Sequence, residues 1–285
     1  MQQADRLYPE GATEKFLELE HDLHCQFPDA KSDAAKLASE VLDPKVATAD
    51  ALWPIIWNKP IHAGNNETGA NNTVARLRQH FDGHWREIFR EEGDYSITHQ
   101  GSKNANISFT ANGRIARDLL NADDNGQVVK DVRGQIGRSR YYAIVSAAEW
   151  LRRRELLDEY PVRDFADADL RVLVPKLEDE LGIRWRHITV LHLLTDLGIA
   201  CKPDIHLTTT ARVLGFTNIT AREPKRDEAL QIVEMTKALT NRLGDGYTLR
   251  YVDKTMFQIS KLLFRTPEPV RERKTRANKL NEVAK

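Results

Sequence analysis

The sequence predicts an all-α fold, and three features carry that expectation. Apolar residues recur at three- and four-residue intervals through most of the chain. No set of alternating apolar and polar runs competes as a sheet. Glycines stand just past the ends of two successive periodic stretches, at Gly182 and Gly198, where left-handed caps stop helices. The 285-residue length suits one large helical domain or two modest lobes that share a cleft.

The elements follow in order. Phe16, Leu17, Leu19 and Leu23 lie on one helical face, and a second helix is expected over 33–42. Residues 57–73 are aperiodic and rich in Asn, Gly and Thr, turn formers that satisfy their own backbone, so a loop is expected there. Val74, Leu77, Phe81, Trp85, Ile88 and Phe89 restore the helical period. Residues 95–112 mix Ser, Thr, Asn and Gly with Ile97, Ile107 and Phe109, a pattern open to either a short hairpin or irregular chain. Helices are expected over 113–121, around Ile144, Ala147, Ala148, Leu151 and Leu156, and over 168–181, 185–197, 204–214, 224–243 and 249–264. The Lys/Arg-rich residues after Pro269 have little apolar surface to bury and read as a frayed helix or a disordered tail. The expected division is a helical region with a polar loop over 1–110, a core over 111–265, and a basic tail over 266–285.

Composition excludes little but orders the options. Lys+Arg and Asp+Glu balance at 42 each, so net charge points neither toward nor away from nucleic acid. The charges are unevenly spread. Residues 1–50 hold eleven acids against five bases, whereas residues 265–285 hold seven bases against three acids. Another basic cluster runs from Arg133 through Arg138 and Arg140 to Arg152, Arg153 and Arg154. No apolar run approaches the roughly 20 residues of a membrane span. The segment Met1–Glu10 has no basic stretch followed by an apolar one, so no secretion signal is expected. Cys25 and Cys201 show no redox or metal spacing, which suits free thiols in a cytoplasmic protein. His80 with His84, and His21 with His24, have helical pair spacing but no Glu or third ligand, so no metal is expected. Gly134 to Gly137 lacks the spacing of a nucleotide phosphate loop, and no cofactor is expected.

The informative stretch is 181–207, Leu-Gly-Ile-Arg-Trp-Arg-His-Ile-Thr-Val-Leu-His-Leu-Leu-Thr-Asp-Leu-Gly-Ile-Ala-Cys-Lys-Pro-Asp-Ile-His-Leu. It reads as a helix end, a tight turn, a second helix, and a loop into a new helix start. Such a turn aims several N–H groups of a helix N-terminus outward, an anion site suited to a DNA phosphate, and Arg184 and Arg186 add charge there. Asp204 falls where helical periodicity resumes, so it is expected at or beside an N-cap, the commonest use of an aspartate in that place.

This segment resembles the helix-hairpin-helix DNA glycosylases related to endonuclease III. Their pattern is Leu-Pro-Gly-x-Gly-x-Lys-x-Ala, a helix, and then x-Val-Asp-x-His. Gly182 stands at the first hairpin glycine, and Asp204-Ile205-His206 matches Asp-x-His 22 residues later. The stretch 249–260 is also similar to the closing helix of several glycosylase branches. The resemblance implies a two-lobed helical glycosylase fold, double-stranded DNA as partner, a monomer, and Asp204 as the catalytic carboxylate. Gly182, Arg184, Trp185, Arg186, His187 and Thr189 would then face DNA, with Arg138 and Arg140 adding phosphate contacts.

The departures matter too. Arg184 replaces the second hairpin glycine, so the turn must be built differently. Arg186 stands at the position of the lysine used by the bifunctional enzymes, and a guanidinium cannot form a Schiff base, so base excision without β-elimination is expected. Thr208-Thr209-Thr210 replaces the usual arginine after Asp-x-His, and two cysteines cannot build the four-cysteine cluster of some relatives.

A base inside a duplex must be flipped out into a pocket before its glycosidic bond is cut. Trp57, Tyr141 and Tyr142 are candidate aromatic walls, and Asn58, His62, Asn65 and Asn66 candidate polar contacts; most of the tryptophans are expected in the core. So polar a loop suits a base carrying many hydrogen-bonding groups. The sequence is similar in general to glycosylase-fold proteins of antiphage defence, which implies glucosylated hydroxymethylcytosine of phage DNA as a substrate. The alternatives are an alkylated base and a non-catalytic helix-hairpin-helix DNA-binding protein.

Overall fold

The computed structural model describes residues 8–65, 67–83, 85–89, 94–100, 106–121, 135–220 and 222–265. These are predominantly helical, with one two-stranded hairpin. The helices are α1 (Ala12–Gln26), α2 (Asp29–Ser39), α3 (Ala49–Ile56), the single turn α4 (Lys59–His62) and α5 (Glu67–Phe81). After the 3₁₀ turn Trp85–Phe89 come β1 (Asp94–Gln100), β2 (Asn106–Asn112) and α6 (Gly113–Leu120). The remainder is α7 (Arg138–Glu155), α8 (Leu170–Leu181), α9 (His187–Asp196), α10 (Ile205–Val213), α11 (Arg226–Leu243) and α12 (Leu249–Gln258), which runs into a π turn at Ile259–Leu263. Expectations for the basic tail, Arg133, Gly134, His84 and Asn66 lie outside the described residues.

One open reading is decided and one expectation changes. Within the stretch 95–112, left open between a short hairpin and irregular chain, β1 and β2 pair antiparallel, with Ile97 opposite Phe109 and His99 opposite Ile107. The expected loop 57–73 is mostly helical, comprising α4 and the first turns of α5. Packing outweighs the turn-forming composition there. Ala70, Val74, Leu77 and Phe81 recur on one buried face of α5, so its Asn and Gly residues ride on the other side of an anchored helix.

The buried apolar side chains form one continuous core from Ala12 in α1 to Ile259. All five tryptophans belong to it, none more than 2% exposed. Their N–H groups are satisfied inside, Trp53 donating to the Phe81 carbonyl, Trp85 to Asp50 and Trp150 to Glu180, as burial of an indole requires. α12 packs on α2 and α10, α3 on α7, and α4 on α5, α7 and α9. α4 thereby joins the N-terminal helices to α7 and α9.

Candidate functional site

Asp204 is the N-cap of α10. Its Oδ1 accepts the N–H groups of His206 (3.0 Å) and Leu207 (3.1 Å), satisfying two donors that a helix start leaves open. Its Oδ2 lies 3.5 Å from Nζ of Lys202, and the side chain keeps 17% of its surface exposed. The segment around it is held at both ends. His206 is buried, with Nδ1 at 3.3 Å from Ser260 Oγ and its ring edge-on to Phe257, and the Thr210 hydroxyl donates to the Met256 carbonyl at 2.7 Å. The neighbouring threonines also fasten α10 internally: Thr208 donates to Pro203 O and Thr209 to Ile205 O.

The approach to Asp204 is fixed by a row of alternating charges. The row ends on the Lys202 backbone N–H, which donates to Asp253 Oδ1 at 2.8 Å, and Asp253 Oδ2 receives Arg250 at 2.8 Å. Arg250 reaches Asp196 Oδ1 at 3.0 Å, and Asp196 Oδ2 pairs with Lys59. Lys59 is 4% exposed and Asp253 5%. Burial pushes the Lys59 ammonium down, opposed by Asp196, and pushes the Asp253 carboxyl up, opposed by Arg250. Such groups stay inside only because each charge meets its opposite. The row joins α4, α9 and α12 to the turn that presents Asp204.

His62, at the end of α4, meets His192 of α9 edge to face, ring centres 5.7 Å apart at 82°. Burial, with help from Lys59 and Lys202, pushes His62 down to about 4 and His192 well below the ordinary histidine range, so both rings are neutral near pH 7. α4 and α9, which carry the two rings, are tied to the Asp204 turn through the row Lys59, Asp196, Arg250 and Asp253. Glu67 pairs with Lys261 at 2.6 Å, and Lys261 and Lys254 lie over the Phe257 ring at 5.4 and 4.9 Å.

The hairpin connects α8 to α9. Gly182 takes φ 74° at the end of α8, and Trp185 N–H returns to the Gly182 carbonyl at 3.0 Å. Arg184 adopts φ 72°, a left-handed conformation that glycine takes without cost and that a residue with Cβ takes at roughly 1–2 kcal/mol. The Arg184 side chain donates to Ser139 Oγ at 3.0 Å, and Arg140 donates to Asn65 Oδ1 at 2.8 Å. The start of α7 therefore bridges the hairpin to the segment after α4. The N-terminus of α9 already carries a carboxylate: His187 N–H donates to Glu178 Oε1 at 3.0 Å, Glu178 Oε2 lies 2.7 Å from Arg226, and the His187 ring meets the Pro224 carbonyl.

Several expected contacts are corrected by burial. Trp185 is 1% exposed and donates to the Ala143 carbonyl, and Thr189 is 8% exposed, so their side chains pack inside the hairpin helices and present nothing to DNA. Trp57, 1% exposed, donates to Asp82 and packs on Phe81, and Tyr141 is fully buried, so neither is an open pocket wall. Asn58 is turned to the Pro54 carbonyl and Asn65 to Ile61 O. Tyr142 is half-buried and faces Gly182, where an added Cβ would come within 4.0 Å of its ring. Gly182 and Arg186 are exposed, Arg184 and His187 half-buried; the Arg138 side chain lies outside the described residues. The sequence reading missed Lys59, His192, Asp196, Lys202, Arg250 and Asp253. His192 with Asp196, four apart, and Arg250 with Asp253, three apart, left a local signal, whereas Lys59 and Lys202 meet their partners across long stretches of chain.

No family, curated protein or solved structure matches this chain. Among the described residues no helix is long and apolar enough to cross a membrane.

Proposed function

We propose that this chain is a monofunctional DNA glycosylase of the helix-hairpin-helix superfamily, which extrudes a modified base from duplex DNA and hydrolyses its N-glycosidic bond. The observation that carries the reading is Asp204: a partly open carboxylate at a helix N-terminus, 22 residues after the hairpin glycine, with one oxygen tied to the helix and the other turned toward Lys202.

Breaking the bond builds positive charge on the sugar, and a fixed carboxylate beside it lowers that barrier. Oδ1 is immobilised by its cap bonds, so Oδ2 is the oxygen that faces the sugar or orients the attacking water. The charge row from Lys59 to Asp253 holds the turn in place, so the carboxylate does not reorganise as charge develops. Arg186 supplies no amine for a Schiff base, which supports excision without β-elimination. Arg138, Arg140, Arg184 and Arg186 would bind phosphates. The proposed substrate is a bulky modified base such as glucosylated hydroxymethylcytosine in phage DNA, with an alkylated base as the other substrate class.

One observation favours a second reading. Glu178 takes the His187 N–H that a phosphate would use, and Asp204 also serves as an ordinary cap, as in a non-catalytic helix-hairpin-helix DNA-binding protein. Counting abasic sites in alkylated DNA, and in DNA from wild-type and modification-deficient phage, separates the readings: excision in either supports the glycosylase, and binding without excision supports the second.

A further inference from the structure

Two imidazoles from separate helices, His62 and His192, meet at right angles and both keep part of their surface open, and the charge row that begins at Lys59 ties their helices to the Asp204 turn. Neither ring is hydrogen-bonded by a described residue, although each carries one donor and one acceptor nitrogen when neutral. α4 and α9 bring them together, and Lys59, pinned to Asp196, fixes that junction. The pair is thus a preorganised set of donors and acceptors with both an aromatic edge and an aromatic face.

Its chemistry selects among ligands. A phosphate would be better met by imidazolium than by neutral rings, and burial together with Lys59 and Lys202 keeps these rings neutral. No group of three His, Cys, Asp or Glu side chains among the described residues is placed to hold a metal ion. A planar heteroaromatic ring with donors and acceptors on its edge uses everything the pair offers: stacking or edge contact from one ring and hydrogen bonds from both. We infer that His62 and His192 together form the wall that recognises the extruded nucleobase. Identifying the ring as a DNA base rests on the glycosylase reading.

The test separates the two. Imidazole ¹⁵N resonances of the full chain are assigned with His62→Phe and His192→Phe, which keep an aromatic ring in each place. The protein is then titrated with 2′-deoxycytidine, 5-hydroxymethyl-2′-deoxycytidine and 3-methyladenine, while abasic sites are counted separately in DNA. The expected result is saturable movement of both histidines with at least one probe, weakened about tenfold by either variant, the size of one lost hydrogen bond to a neutral partner. Excision by the wild-type protein with no histidine movement overturns the wall and leaves the glycosylase standing. Movement without excision leaves a base-binding site and overturns the glycosylase. Absence of both overturns both.

Discussion

Nζ of Lys202 lies 3.5 Å from Oδ2 of Asp204, while Oδ1 of the same carboxylate is committed to the backbone of α10. The two oxygens therefore have different duties, and substitutions at this residue divide them.

Asp204→Ala removes the cap as well as the charge, and a lost N-cap costs about 1 kcal/mol. Asparagine caps about as well as aspartate. Thermal unfolding should show Asp204→Ala melting about 2–4 °C below wild type and Asp204→Asn close to it. Equal losses in the two variants would mean that the ion pair with Lys202, not the cap, sets the stability of this turn.

Asp196→Ala leaves Lys59 buried without its partner and takes a carboxylate from Arg250. Breaking a buried pair from one side costs about 3–5 kcal/mol, well above the effect of an exposed pair. Urea unfolding of this variant, set beside Arg171→Ala, which breaks the exposed bond to Glu234, should show a large loss in the first and less than about 1 kcal/mol in the second.

His62 is neutral in the fold down to about pH 4, whereas an unfolded histidine titrates near 6.5. Between those values the unfolded chain binds more protons, so stability falls as pH falls from about 6.5 to 4 and levels below. His192 adds in the same direction. Lys59, Lys202 and Arg250 oppose protonation of the pair, and Asp196 and Glu67 favour it. Denaturation measured across that window should flatten in the His62→Phe, His192→Phe double variant. An unchanged slope would place the acid sensitivity elsewhere.

Arg184→Gly relieves the left-handed strain but gives up the bond to Ser139 and a cation. Stability should stay within about 1 kcal/mol of wild type. Duplex DNA affinity should fall, with the salt dependence shallower by about one counterion if this arginine contacts a phosphate. Fluorescence anisotropy at several salt concentrations reads both. An unaltered slope would remove Arg184 from the DNA face.

Much of the helical order was legible because it depends on local spacing: Asp204 caps the helix expected to begin there, and Gly182 and Gly198 stand past the ends of the two helices before it. Residues 57–73 misled because Asn and Gly report local preference, whereas α5 is held by Ala70, Val74, Leu77 and Phe81 against the core. Trp57 and Trp185 suited a pocket wall or a DNA face by type, but only their surroundings reveal that their indoles are enclosed. In the site, Asp204 was visible through its distance from Gly182. The charge row was not, because beyond the one-turn pair Arg250–Asp253 its members Lys59, Asp196 and Lys202 reach it only through packing of α4, α9 and α12.

The most direct test compares wild type with Asp204→Asn on alkylated DNA and on wild-type and modification-deficient phage DNA, counting abasic sites. The account predicts abasic sites with the wild-type protein, chiefly in modified phage DNA, and their loss in the folded variant. Full excision by Asp204→Asn, or none by the wild-type protein on any of these DNAs, would contradict it.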